Sequence, residues 1–214
     1  WMSSLGPRGA GDTLTVTLAA RPLTNVVVDV ISSNVGEARV SPAQLTFTAG
    51  DWNTPQPVTI TGADDSPPKV DGAQLVFVTL SANDAASDNA WDAMADRAVT
   101  VTNDDNDVAG FALGKTAITV SESGTADAFT VLLTVQPDFS VVLMFTSGDP
   151  AEAAVSPGTL TFTPATWNLP QTVTVTGVDD PMIDGSQLTQ VTVAVDAESS
   201  DGQFDAVPAQ VVTV

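Results

Sequence analysis

Short runs with a period of two dominate the chain. Over residues 127–135, Phe129, Val131, Leu133 and Val135 alternate with mostly polar or small neighbours. That period puts the four apolar side chains on one face of a strand. Residues 26–30, 46–48, 58–61, 75–80 and 171–176 are also short and rich in β-branched side chains. Turn residues bound them, including Arg21-Pro22, Ser41-Pro42, Thr54-Pro55, Gly62 and Asp71-Gly72. Strands of this length and spacing predict a sandwich or a barrel. The unbroken Val26-Val27-Val28 run marks a central strand rather than an edge. One stretch competes with this reading. Residues 81–98 are alanine-rich and have some helical character, but their counterpart near the C-terminal end carries Gly202 and Pro208. Both are expected to be long loops before a last strand, with Trp91 and Phe204 as apolar plugs.

The pattern occurs twice. Residues 45–52 read LTFTAGDW and residues 160–167 read LTFTPATW, an offset of 115. The offset holds from Leu14/Phe129 through Pro22/Pro137, Pro42/Pro157 and Gly62/Gly177 to Asp64-Asp65/Asp179-Asp180. The second copy is then two residues shorter. The offset becomes 113 at Asp71-Gly72/Asp184-Gly185 and stays so to the end. A solenoid unit has about 20–45 residues, whereas a whole β-sandwich has about 100. Each copy is therefore expected to be a self-contained domain, the first over 1–105 and the second over 106–214. Residues 1–11 do not reproduce the opening strand of the second copy, so the first strand of copy 1 is expected to be missing or foreign.

Charge narrows the function. The chain of 214 residues carries 26 acidic and 6 basic side chains, a net charge of -20. Such a chain repels phosphate backbones and anionic membrane surfaces, so no nucleic-acid partner is expected. No apolar run approaches the roughly 20 residues of a membrane span, so no membrane insertion is expected. Cysteine and histidine are absent. That removes disulfides, thiolate zinc sites, Ser-His-Asp triads and the usual base at neutral pH. Ser and Thr are abundant but have no His partner, and the glycines form no phosphate-cradling motif. No enzyme activity is expected. Asp supplies 22 of the 26 acids, and Asp favours turns and loops over helix surfaces.

The acids gather at recurring places. Asp64, Asp65 and Asp71 stand between two strands, matched by Asp179, Asp180 and Asp184. Asp104, Asp105 and Asp107 follow the last strand of copy 1, and Glu122 lies near the start of copy 2. Like charges so gathered repel, and a hard cation with about 6–8 oxygen ligands relieves the repulsion. Calcium is the expected ion, against the alternative of a solvated acidic loop. The spacing is not that of an EF-hand. Paired carboxylates also serve glycosidases, but these are adjacent on a loop and occur twice. Trp52-Asn53 and Trp167-Asn168 are expected to be core or edge residues at a sheet corner rather than sugar platforms, because aromatics make up only 6% of the chain.

At these residues the sequence resembles the Calx-beta family and the related long repeats of bacterial surface adhesins. The likeness rests on VSESG (120–124), LTFTPATWNLPQTVTVTGVDD (160–180) and DGSQLTQVTV (184–193), with the Asp104-Asp105-Asn106-Asp107 run in copy 1. It implies an all-β chain of two tandem Greek-key, immunoglobulin-like β-sandwiches, each with seven strands. It also implies calcium at one end of each sandwich, held by an early Glu, the acids of a late loop and an Asp run after the last strand. Carried over, copy 1 offers Asp64, Asp65, Asp71, Asp104, Asp105 and Asp107, and copy 2 offers Glu122, Asp179, Asp180 and Asp184. Glu122 corresponds to Pro7, so copy 1 lacks the early Glu, and copy 2 ends where its Asp run is due. The family's Asp-Tyr pair before the LTF strand is missing too; Glu37 and Glu152 are the nearest acids. The expected role is a monomeric spacer in a secreted or cell-surface bacterial adhesin. Its partners are neighbouring repeats of the same long chain, and calcium stiffens the junction. A calcium-sensing regulatory module and a carbohydrate-binding accessory module are the rival readings.

Overall fold

The computed structural model describes residues 2–5, 11–182 and 185–214. The chain is all-β and forms two Greek-key β-sandwich units. One unit comprises Trp1–Ser66 with Asp71–Asn106; the other comprises Pro67–Val70 with Asp107–Val214.

In the first unit the strands are β1 (Met2–Leu5), β2 (Gly11–Val16), β3 (Val26–Ser32), β4 (Ala38–Ser41), β5 (Gln44–Phe47), β6 (Gln56–Gly62), β7 (Gln74–Ala82) and β8 (Arg97–Asn103). One sheet runs β1-β8-β7-β3-β5 and the other β2-β6-β4. Pairing is antiparallel except at β1, which lies parallel to β8 with Met2 opposite Thr100. A strand therefore stands at Met2–Leu5, where the sequence pattern left none. Backbone pairing needs no particular side chains, so the lost sequence motif did not report it. Residues 1 and 6–10, Pro7 among them, lie outside the described residues.

In the second unit the strands are β9 (Phe111–Leu113), β10 (Ala126–Leu133), β11 (Val141–Ser147), β12 (Ala153–Ser156), β13 (Thr159–Phe162), β14 (Gln171–Gly177), β15 (Gln190–Val195) and β16 (Gln210–Thr213). They form the sheets β12-β14-β10-β9 and β13-β11-β15-β16. The strands β10 to β14 begin 115 residues after β2 to β6. The Ala117–Thr213 bridge is parallel and matches Met2–Thr100.

Each core is the space between two sheets. In β10 the burial alternates, with Phe129, Val131 and Leu133 inside, and β14 supplies Val173 and Val175 from the same sheet. The facing sheet supplies Val141, Leu143, Phe145, Phe162, Val191, Val193 and Val212. Burying each such side chain stabilises the fold by about 1.5–3 kcal/mol. In the first unit Val26, Val28, Val30, Phe47, Val58, Ile60, Val76, Val78 and Val101 do the same. Val27 faces the other way, yet it is buried as well. The loop after β7 covers it, for Ser87 Oγ accepts from Val27 N (2.9 Å) and donates to Val27 O (3.1 Å). The valine run thus lies in a central strand, covered on both faces.

The long loops before β8 and β16 each contain a short 3-10 turn, Asn89–Trp91 and Gly202–Phe204. Phe204 is fully buried in the second core, and Trp91 packs half-buried on the first. Trp52 and Trp167 are likewise half-buried against the cores.

Candidate metal centre

Strand register brings four strand ends to one end of the first sandwich. Ala38, which opens β4, is paired with Gly62, which closes β6. Gln74, which opens β7, is paired with Asn103, which closes β8. Glu37, Asp64, Asp65, Asp71, Asp104 and Asp105 all lie within three residues of these four positions, beside the strand ends.

Asn103 joins the two sheets there. Its side chain is 6% exposed, and its Nδ2 donates to Glu37 Oε2 (3.0 Å) and to Ala63 O (2.8 Å). A buried amide with two acceptors fixes the Glu37 carboxylate in place. The β6–β7 loop is tied down from β8: Asp105 Oδ2 accepts from Asp71 N (3.0 Å) and Gly72 N (2.8 Å). Gly72 has φ +73°, a left-handed conformation that suits glycine. Gln74 Nε2 donates to Asp71 O at 2.8 Å and closes the turn.

The result is a set of three carboxylates. Glu37, Asp65 and Asp71 each offer an oxygen, and these oxygens lie within 4.8 Å of one another. Two ligands on opposite sides of a calcium ion are about 5 Å apart at most, given bonds of about 2.3–2.6 Å. The donors are all carboxylate oxygens, the hard type that calcium prefers. Spacing and donor chemistry both fit that ion. Asp64 is exposed beside the set, Asp104 is half-buried after Asn103, and Asp105 braces the loop. Asp107 belongs to the second unit, where its Oδ2 accepts from Lys69 N at 2.9 Å.

Glu37 escaped the sequence reading as a ligand. It was singled out only as the acid nearest to a missing motif. One signal was available: Glu37 and Glu152 recur at the offset of 115, each directly before a strand.

The second unit has a different arrangement at the matching end. A cavity of about 390 Å³ is walled in part by Glu122, Glu152, Gln187, Ser121 and Thr189. Glu122 sits on the turn from Ser121 to Gly124, closed by Gly124 N donating to Ser121 O at 3.0 Å. That turn presses on the end of β14, where a Cβ on Gly177 would collide with the Ser121 backbone. Asp179 and Asp180 are not part of the cavity wall. Asp180 Oδ1 accepts from Met182 N at 2.8 Å, a local turn. Asp184 lies outside the described residues.

Other acids hold loops. Asp88 accepts from Leu23 N, Thr24 N and Ala90 N, and these bonds hold its carboxyl below the usual carboxylate range, Ala90 contributing most. Asp51 is lowered by the backbone N–H and then the hydroxyl of Thr48. Asp127 is lowered first by its hydrogen bond from Lys115, 2.6 Å away.

No known family model matches the sequence, and no curated protein matches it. Solved structures similar in fold include the calcium binding domain CBD12 of CALX1.1, with 14% identity, 90% of this chain and 77% of that chain covered, and a TM-score of 0.36. The E. coli chaperone DraB shows 11% identity, coverage of 91% and 89%, and a TM-score of 0.36. WR4, an MSP family member of C. elegans, shows 9% identity, coverage of 48% and 94%, and a TM-score of 0.36. Among the described residues no helix is long and apolar enough to cross a membrane.

Proposed function

We propose that this chain is a non-catalytic spacer segment of an extracellular bacterial adhesin, stabilised by calcium. The observation that carries this reading is the convergence of Glu37, Asp65 and Asp71 at one end of the first sandwich. Asp64, Asp104 and Asp105 add charge around them. A bound calcium ion neutralises the carboxylates' mutual repulsion. Asn103 orients Glu37, and Asp105 holds the turn that presents Asp71. In the second unit Glu122 and Glu152, which share the cavity wall, are candidate ligands, with Asp179, Asp180 and Asp184 of the segment after β14 as further candidates. Two like sandwiches in one chain, at an offset of 115 residues that becomes 113 after the Asp64-Asp65 pair, suit a role that depends on length and stiffness. The absence of His and Cys leaves no ordinary acid–base or thiol chemistry.

Small-angle scattering on the whole chain, titrated with calcium, tests the mechanical part. Extracellular modules bind at roughly 10⁻⁴–10⁻³ M. We expect the flexibility of the chain to fall across that range, and Asp104→Asn with Asp105→Asn to weaken the response while both cores stay folded. A response that saturates in the micromolar range points to a sensor instead, and no response removes the spacer mechanism.

A further inference from the structure

We propose that the second unit carries an acceptor site selective for one peptide segment, residues 67–70 of its own chain. The site is built from Asp107, Gln136, Asp138 and Gln203. The chain leaves the first unit after Ser66, adds Pro67–Val70 to the second, and returns at Asp71.

Three of the segment's four residues are held. Gln136 N donates to Pro68 O at 2.8 Å. Lys69 N donates to Asp107 Oδ2 at 2.9 Å. The Lys69 ammonium meets Asp138 Oδ1 at 2.7 Å. Gln203 Nε2 donates to Val70 O at 2.7 Å, and Val70 packs on the second core. Backbone bonds give such a site affinity, and the one charged pocket gives it selectivity. Two prolines at its start restrict the segment before docking, which lowers the entropy lost on binding.

Among the described residues the first unit has no equivalent site. The positions matching Gln136, Asp138 and Gln203 are Arg21, Leu23 and Ala90. A cation and an exposed leucine there offer nothing to a lysine. The second unit has no equivalent segment either. Five residues separate Asp65 from Asp71, and three separate Asp180 from Asp184, with no lysine among them. The two-residue gap between the copies falls at the inserted segment. Donor and acceptor are therefore a matched pair within the second unit.

The test uses the whole chain in chelator, so that no bound ion contributes. Amide exchange is followed at Gln136 and Lys69, with the amides of β10, β11, β3 and β6 as controls for folding. Losing the anchors frees these amides, and one hydrogen bond is worth up to about tenfold in exchange. Lys69→Glu and Asp138→Lys should each raise exchange at Gln136 by about tenfold, and the double variant should restore protection. Replacing residues 67–70 with Gly-Ser-Gly-Ser should expose Gln136 and lower the melting temperature of the second unit, with β3 and β6 unchanged. Unchanged exchange at Gln136 in the single variants, or no rescue in the double variant, overturns the proposal.

Discussion

Asp88 and Asp201 show how much one carboxylate does in this chain. They stand 113 residues apart and do the same work. Asp201 Oδ2 accepts from Asp138 N (2.6 Å) and Phe139 N (2.8 Å), and its Oδ1 from Gln203 N (3.1 Å). Asp88 makes the matching set in the first unit. Asp201 is only 5% exposed and accepts from three N–H groups, so Asp201→Ala would remove all three acceptors and cost about 1–3 kcal/mol. Chemical denaturation of the variant should show that loss in the second unit. Asp88 is more exposed, and Asp88→Ala should cost less. Folded-state carboxyls of Asp51, Asp88 and Asp127 lie below their ordinary values. Their contribution is therefore complete above the unfolded pKa of about 3.9 and lost as pH falls through the lower folded values. At position 166 the second unit replaces Asp51 with Thr166, which makes the turn bond to Thr163 without a titrating group. NMR titration should find no counterpart of the Asp51 transition there. These loop roles were not legible in the sequence. An Asp that caps a turn and one that faces a cation look alike until the backbone fixes their directions.

At the scale of elements the pattern was far more legible. The alternation in 127–135 reports which side faces the core, because a strand repeats every two residues. The valine run at 26–28 marked a central strand, and turn residues such as Pro42, Pro55 and Gly62 bounded the other strand segments. Trp52, Trp167 and Phe204 were readable as core residues because each stands at a strand corner or in a loop that returns to the sheet. What the pattern missed was β1, whose pairing is backbone alone, and the close approach at Gly177. There β14 ends against the Ser121 backbone, and only a residue without Cβ fits. Gly177→Ala should displace the 121–124 turn and cost about 1–3 kcal/mol. Thermal melting would record the loss, and a wild-type melting curve would contradict the packing. Phe129→Ala, in the middle of β10, should cost about 3–5 kcal/mol, since it leaves a cavity between the sheets.

For the whole molecule the net charge of -20 locates candidate chemistry. The charge is not spread evenly over function. Part of it caps loops, part holds ion pairs, and a compact part converges where β4, β6, β7 and β8 meet. The offset of 115 made the two copies visible. It also pointed to their matched acids, but not to which of them converge. Glu37 joined the set only because Asn103 and the β4–β6 register carry it there. Glu37, Asp65 and Asp71 are proposed to hold calcium. Melting the whole chain with and without millimolar calcium, beside the Asp65→Asn/Asp71→Asn variant, tests it most directly. At ligand about 100-fold above the dissociation constant, binding stabilises the fold by about 2.7 kcal/mol. For a domain of this size that is a rise in Tm on the order of 10 °C. The account predicts that rise in the first unit of the wild-type chain and its absence in the variant. An equal rise in both, or none in either, would contradict it.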